Sequence, residues 1–104
     1  MLTGKSGETY TFNVYNKDMR FNDFIPGVYF ISHQRLNNDH AVEETAIYIG
    51  ESDNVDRALQ SHDKRACFDE HDYNRVSFHR AADQKKREAI ANDLIKALNP
   101  SCND

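Results

Sequence analysis

The chain has 104 residues, a hydrophobic fraction of 38% with six Phe and five Tyr, and a mean hydropathy of −0.83, which suits one domain with a modest core and excludes two. No run approaches the roughly 20 apolar residues of a membrane span, and Met1–Lys5 lack the apolar stretch of a signal peptide, so the cytoplasm is the expected location. The formal charge of −4 argues against a strong nonspecific nucleic-acid binder.

Thr9–Tyr15 alternates apolar and polar residues, the period of a half-buried strand, and is expected at the edge of a sheet. Asn22 to Pro26 reads as a connector, and Pro26-Gly27 launches Val28-Tyr29-Phe30-Ile31 as the next strand. Polar residues from His33 to Glu43 predict a long surface loop before a strand over Thr45–Ile49. The strands on either side of that loop are expected to pair antiparallel. Asp53 or Asn54 caps a predicted helix through Val55, Leu59 and His62, ending near Lys64. Cys67–Asp72 reads as a turn or short helix, and Arg75–His79 alternates again as a strand. Asp83 caps a long helix whose Ile90, Ala91, Leu94, Ile95 and Leu98 recur at helical spacing, stopped by Asn99-Pro100. The elements predict a small α/β sandwich: an antiparallel sheet of three central strands with an N-terminal strand added, flanked by helices.

Charge is distributed unevenly. Residues 1–56 hold four Lys/Arg against nine Asp/Glu, residues 57–87 hold eight against five, and residues 88–104 one against three. A basic middle can face a phosphate backbone, although an ordinary mixed surface explains the same counts. Lys64, Arg65, Arg75, Arg80, Lys85, Lys86 and Arg87 are its candidate phosphate contacts, Lys85–Arg87 equally the solvated opening of a helix.

Two triplets carry the functional reading. Gly27-Val28-Tyr29 opens one predicted strand, and Tyr48-Ile49-Gly50, nineteen residues on from tyrosine to tyrosine, lies at the end of the next. Their order resembles the signature of the GIY-YIG nucleases, metal-dependent enzymes that cut DNA, and the likeness extends over most of the chain beyond residue 26. The resemblance implies a single GIY-YIG-like domain over residues 1–104 and places Tyr29 and Tyr48 side by side on adjacent strands. It puts a catalytic arginine ten residues beyond the second tyrosine and a histidine four further on: here Ala58 and His62. The i, i+4 relation would set both on one helix face. Arg57 is adjacent but turned about 100° away. In the last helix the family's metal-binding glutamate precedes a Leu-Ile-Lys stretch, a proline and an asparagine; Leu94-Ile95-Lys96, Pro100 and Asn103 match, and the glutamate position is Ala91. Glu88 lies one turn earlier.

By resemblance, the glutamate would hold one Mg²⁺ or Mn²⁺, and the arginine would clamp the scissile phosphate. Tyr29, with Tyr48 or His62, would position or deprotonate the attacking water, and Asn103 would hold the site together. The partner implied is DNA, contacted by Arg57, Lys64, Arg65, Lys85 and Arg87, with specificity from the His33–Glu43 loop, a homodimer or a second protein. Alanine at both charged positions predicts a catalytically inactive chain. Two alanines in an otherwise matching frame read as targeted inactivation, with a naturally inactive relative as the competing account.

The plain readings stand beside these. Tyr29 and Tyr48 also suit a cross-strand packing pair, His62 a solvated helix residue and Asn103 a chain end. The two cysteines are expected as free thiols in a reducing compartment. A rival from another class is a zinc-stabilised interaction module using His62, Cys67, His71 and Cys102.

Overall fold

The chain runs β1 (Leu2–Thr3), β2 (Thr9–Tyr10), β3 (Asn13–Asn16), β4 (Gly27–Leu36), β5 (Val42–Ser52), α1 (Val55–Gln60), α2 (Arg65–Glu70), β6 (Arg75–Arg80) and α3 (Gln84–Leu98). This computed structural model describes residues 1–20 and 24–103, so the start of the Asn22–Pro26 connector lies outside the described residues. The described residues form a small α/β arrangement with antiparallel sheets and three helices. A four-stranded sheet has the order β3-β6-β4-β5, and β1 and β2 form a separate two-stranded ribbon.

Strand β4 is central, and its first six residues, Gly27–Ser32, are all buried. A β-branched and aromatic run of this kind suits a strand covered on both faces. Val28 and Phe30 face one side with Phe12, Ile49, Ala91 and Leu94, under α3. Tyr29 and Ile31 face the other with Ile47, Val55, Phe68, Tyr73, Val76, Phe78 and Cys102, under α1 and α2. Side chains such as Ile31, Ile47, Phe68 and Leu94 are fully buried, each worth about 1.5–3 kcal/mol of transfer free energy.

The motif strands pair antiparallel as expected, with Tyr29 opposite Gly50 and Phe30 opposite Ile49. Ile31 pairs with Tyr48 and Ser32 with Ala46, so Ile47 is left over as the extra residue of a bulge. The bulge resets the alternation. Ile47 and Tyr48 both serve the α1/α2 side, while Ile49 returns to the α3 side.

Three element boundaries differ from the sequence reading. The strand expected over Thr9–Tyr15 is divided: Thr9–Tyr10 pairs with β1, and Asn13–Asn16 pairs with β6. Between them Phe12 is buried edge-on to Phe30, which takes the chain from one sheet to the other. The long loop expected over His33–Glu43 is mostly a hairpin extension, since β4 runs to Leu36 and β5 starts at Val42. Arg35 faces Glu43 in register and bonds it at 2.9 Å, and Asn37 closes the turn by accepting from the Asp39 and Ala41 amides. Beyond the core both faces of a hairpin meet water, so no apolar alternation marks it.

The first helix stops at Gln60 instead of near Lys64. Asn54 caps its start by accepting from the Arg57 amide, but Ser61 leaves helical geometry. His62 therefore lies in the turn between α1 and α2, and positions 58 and 62 do not share a helix face. Helix α3 begins and ends as read, with Asp83 accepting from the Lys85 amide and Asn99 closing it in a left-handed conformation. The cysteines are not free thiols: Cys67 on α2 and Cys102 beyond α3 form a disulfide, with Cα atoms 6.1 Å apart. No described helix is long and apolar enough to cross a membrane.

Candidate functional site

Tyr29 and Tyr48 lie diagonally across the β4–β5 pair with ring centroids 6.0 Å apart. The triplet glycines make this approach possible. A Cβ at position 50 would fall 2.6 Å from the Tyr29 hydroxyl and 2.8 Å from the Tyr48 ring. At position 27 it would fall 2.5 Å from the His79 carbonyl oxygen on β6. Each glycine is thus required by what passes over it.

His62 meets both tyrosines from the α1–α2 turn. Its Nε2 is 2.7 Å from the Tyr29 hydroxyl, and its ring centroid is 4.8 Å from that of Tyr48 and 4.8 Å from that of Phe68. The Lys64 backbone N–H donates to Nδ1 at 3.0 Å. One ring nitrogen of a neutral imidazole donates and the other accepts, so the proton is assigned to Nε2, which donates to the Tyr29 oxygen.

Electrostatics keep this cluster neutral. Burial pushes the Tyr29 phenol well above its ordinary pKa, with the neighbouring Tyr48 adding to the effect. Tyr48 is raised by burial and then by the Asp63 charge. His62 is lowered, first by burial, with Asp63 opposing and Arg65 and Lys64 assisting. Its side chain is only 6% exposed, whereas Asp63 is 90% exposed, so that carboxylate is largely screened by water. Near neutral pH, Tyr29 is a phenol receiving a hydrogen bond, and His62 has its acceptor nitrogen tied to the backbone. Neither is poised to take a proton from water.

The remaining expected residues are placed unevenly. Ala58 packs against the same core cluster as Tyr48 and lines an open cleft of about 310 Å³ with Ser52, Asp53, Asn54, Arg57 and Ser61. Asn103 reaches the same region: its carboxamide accepts from the Ile49 N–H and donates to the Ile49 carbonyl, both at 2.8 Å. Ala91 is set apart. It is buried on the opposite face of the sheet with Phe12, Phe30 and Leu94.

The residues present do not fit a resident Mg²⁺ or Mn²⁺. A hard cation takes oxygen ligands, carboxylates first. Position 91 offers a methyl group, and Tyr29 and Tyr48 are neutral phenols. Glu51, beside Gly50, is committed to Arg87 at 2.8 Å. Among the described residues the group that could hold a metal is Cys67, His71 and Cys102, without His62.

Arg87 corrects the list of phosphate contacts. It is 5% exposed, and besides Glu51 it donates to the Ala81 and Ala82 carbonyls, tying the start of α3 to β5. Arg57 and Arg65 are exposed on α1 and α2, although Arg65 also donates to the Leu59 carbonyl and stacks over Tyr73. Lys64 is half-buried on the same side, while exposed Lys85 opens α3, the helix of the other sheet face. Phe68, which packs against both His62 and Tyr48, carries no sequence signal beyond being aromatic. The Glu51–Arg87 pair likewise spans 36 residues with no motif to announce it.

Compared with known proteins, the chain matches no family model, no curated protein and no solved structure.

Proposed function

We propose that this chain is a cleavage-incompetent domain of GIY-YIG nuclease type that binds DNA without cutting it. The convergence of Tyr29, Tyr48 and His62 carries the reading: two tyrosines from adjacent antiparallel strands meet one histidine beside a glycine that exists to admit them. Asn103, clasped to Ile49 between the second tyrosine and that glycine, supports it. Hydrolysis of a phosphodiester needs an activated water and cations to offset phosphoryl charge. Ala58 and Ala91 supply neither, and the neutral aromatic cluster does not generate a base. What remains is a surface: exposed Arg57 and Arg65 with Lys64 nearby, on the side of the sheet where the tyrosines lie, suited to backbone phosphates.

The test has two arms. Gel shifts with a short duplex over a salt series should give binding that weakens steeply with salt, and should show Arg57→Ala and Arg65→Ala each weakening it. No binding at low salt would remove the DNA reading. The folded chain, with circular dichroism as the folding control, should leave a supercoiled plasmid intact in Mg²⁺ and in Mn²⁺. Nicking by the folded chain removes the cleavage-incompetent reading.

A further inference from the structure

We propose that Cys67, His71 and Cys102 form a redox-gated zinc site: the disulfide is its oxidised, metal-free state, and the reduced chain holds one Zn²⁺ through two thiolates and the His71 imidazole. The two sulfurs and a His71 ring nitrogen all lie within 4.8 Å of one another. Tetrahedral zinc, with bonds of about 2.3 Å to sulfur and 2.0–2.1 Å to nitrogen, separates its donors by roughly 3.6–3.8 Å. Once the disulfide opens, the sulfurs need only part to that spacing.

Local structure favours this geometry. Cys67 and His71 are four residues apart on one helix face, and the His71 amide bonds the Cys67 carbonyl, so the backbone holds both side chains one turn apart. Cys102 is fixed from the other side, its own amide donating to the Ile47 carbonyl at 2.7 Å. It is 2% exposed, and His71 is exposed. The metal would therefore lie at the boundary, with sulfur ligands inward and a water completing the tetrahedron on the solvent side. Two adjacent thiolates beside a hydrophobic core are costly as bare anions, and a dication offsets both charges.

The chemistry balances with a small-molecule disulfide as oxidant. One zinc-bound thiolate attacks a sulfur of that disulfide, breaking its S–S bond and releasing one small thiolate. The second protein thiolate then attacks the mixed disulfide at the protein sulfur and expels the other. The products are the Cys67–Cys102 bond, two small thiolates and Zn²⁺, whose oxidation state is unchanged. Both states join α2 to the segment after α3, so the fold keeps one cross-link in oxidising and in reducing surroundings. The neighbours of the two cysteines also matter, because Phe68 packs on His62 and Asn103 clasps Ile49.

The test uses the full chain, reduced with a phosphine, desalted without oxygen, equilibrated with Zn²⁺ and desalted again. Metal analysis should find about one zinc per reduced chain and none on the oxidised chain, with X-ray absorption giving two sulfur neighbours and at least one nitrogen. Adding oxidised glutathione should release the zinc as the two protein thiols are lost and two glutathione thiols appear. His71→Ala should weaken zinc at least about tenfold in competition with a chromophoric chelator, while still forming the disulfide. The proposal is overturned if the reduced, natively folded chain retains no zinc, if His71→Ala holds it as tightly as the parent, or if zinc is held only by chain without native ellipticity.

Discussion

The Tyr29 hydroxyl and the His62 Nε2 lie 2.7 Å apart, and the hydrogen bond between them runs from imidazole to phenol. Tyr29→Phe removes the acceptor and leaves a nearly buried N–H without a partner, which costs about 1–3 kcal/mol. Urea unfolding should show that loss, and a double-mutant cycle with His62→Ala should return a coupling of about 1 kcal/mol. If Tyr29→Phe is as stable as the parent, the hydrogen bond is not part of the native site.

The same relationship fixes a pH dependence. Burial holds the folded-state pKa of His62 below its ordinary value of 6.5. In the window below 6.5 the unfolded chain binds more protons than the native one, so stability is full above that pH and declines as pH falls towards the folded pKa. Protonation also puts a hydrogen on Nδ1, which ends the bond from the Lys64 amide. Comparing melts at pH 7.5 and 5.5 should show the decline, with His62→Gln flattening it. An imidazole that titrates at or above 6.5 by NMR contradicts the assignment.

Gly50→Ala tests why the second triplet ends in glycine. The new methyl would meet the Tyr29 hydroxyl at 2.6 Å and the Tyr48 ring at 2.8 Å. Both rings must move, and overpacking of this kind costs about 1–3 kcal/mol. The variant should also displace the Tyr29 and His62 NMR signals, a change that loss of strand propensity alone would not bring.

The Glu51–Arg87 pair makes a prediction about α3. Glu51→Gln leaves the guanidinium, 6% exposed in its side chain, without its counter-charge. Removing one partner of a buried pair costs about 3 kcal/mol. Arg87→Met removes the charge altogether and should cost less, although it gives up the bonds to the Ala81 and Ala82 carbonyls. Should Arg87→Ala weaken DNA binding while leaving the melting temperature unchanged, the structural role given to Arg87 is wrong.

How much of this was legible depended on whether a residue acts through its own segment. The motif strands, the Asp83 and Asn54 caps and the Asn99 stop were readable because alternation, capping and helix termination are local. The division of Thr9–Tyr15 was not, because Phe12 answers to Phe30 on another strand. Helical spacing carries the first helix through His62, because nothing in the sequence shows that its ring accepts from the Lys64 amide in the turn before α2. Arg87 counted as surface charge because its partner is a glutamate 36 residues away. The expectation of free thiols rests on compartment, which says nothing of whether two side chains meet. Ala91 followed helical spacing correctly into the core, and that same spacing carried it to the face of the sheet away from the tyrosines.

Asn103 does for β5 what a neighbouring strand would do. Strand β5 is the edge of its sheet, and an edge presents unpaired N–H and C=O groups. The Ser101 and Cys102 amides donate to the carbonyls of Ala46 and Ile47, and the Asn103 carboxamide takes both backbone groups of Ile49. Asn103→Ala therefore frees an N–H and a C=O at the residue between Tyr48 and Gly50, and a cost of about 1–2 kcal/mol is expected. Asn103→Asp keeps the acceptor but loses the donor and should fall between the parent and alanine. Hydrogen exchange provides the local readout: the Ile49 amide should exchange faster in Asn103→Ala by more than global stability explains, while the Phe30 amide, in the central strand, follows the global change. If the two amides accelerate equally, Asn103 contributes only to overall stability and does not hold the tyrosine strand at this point.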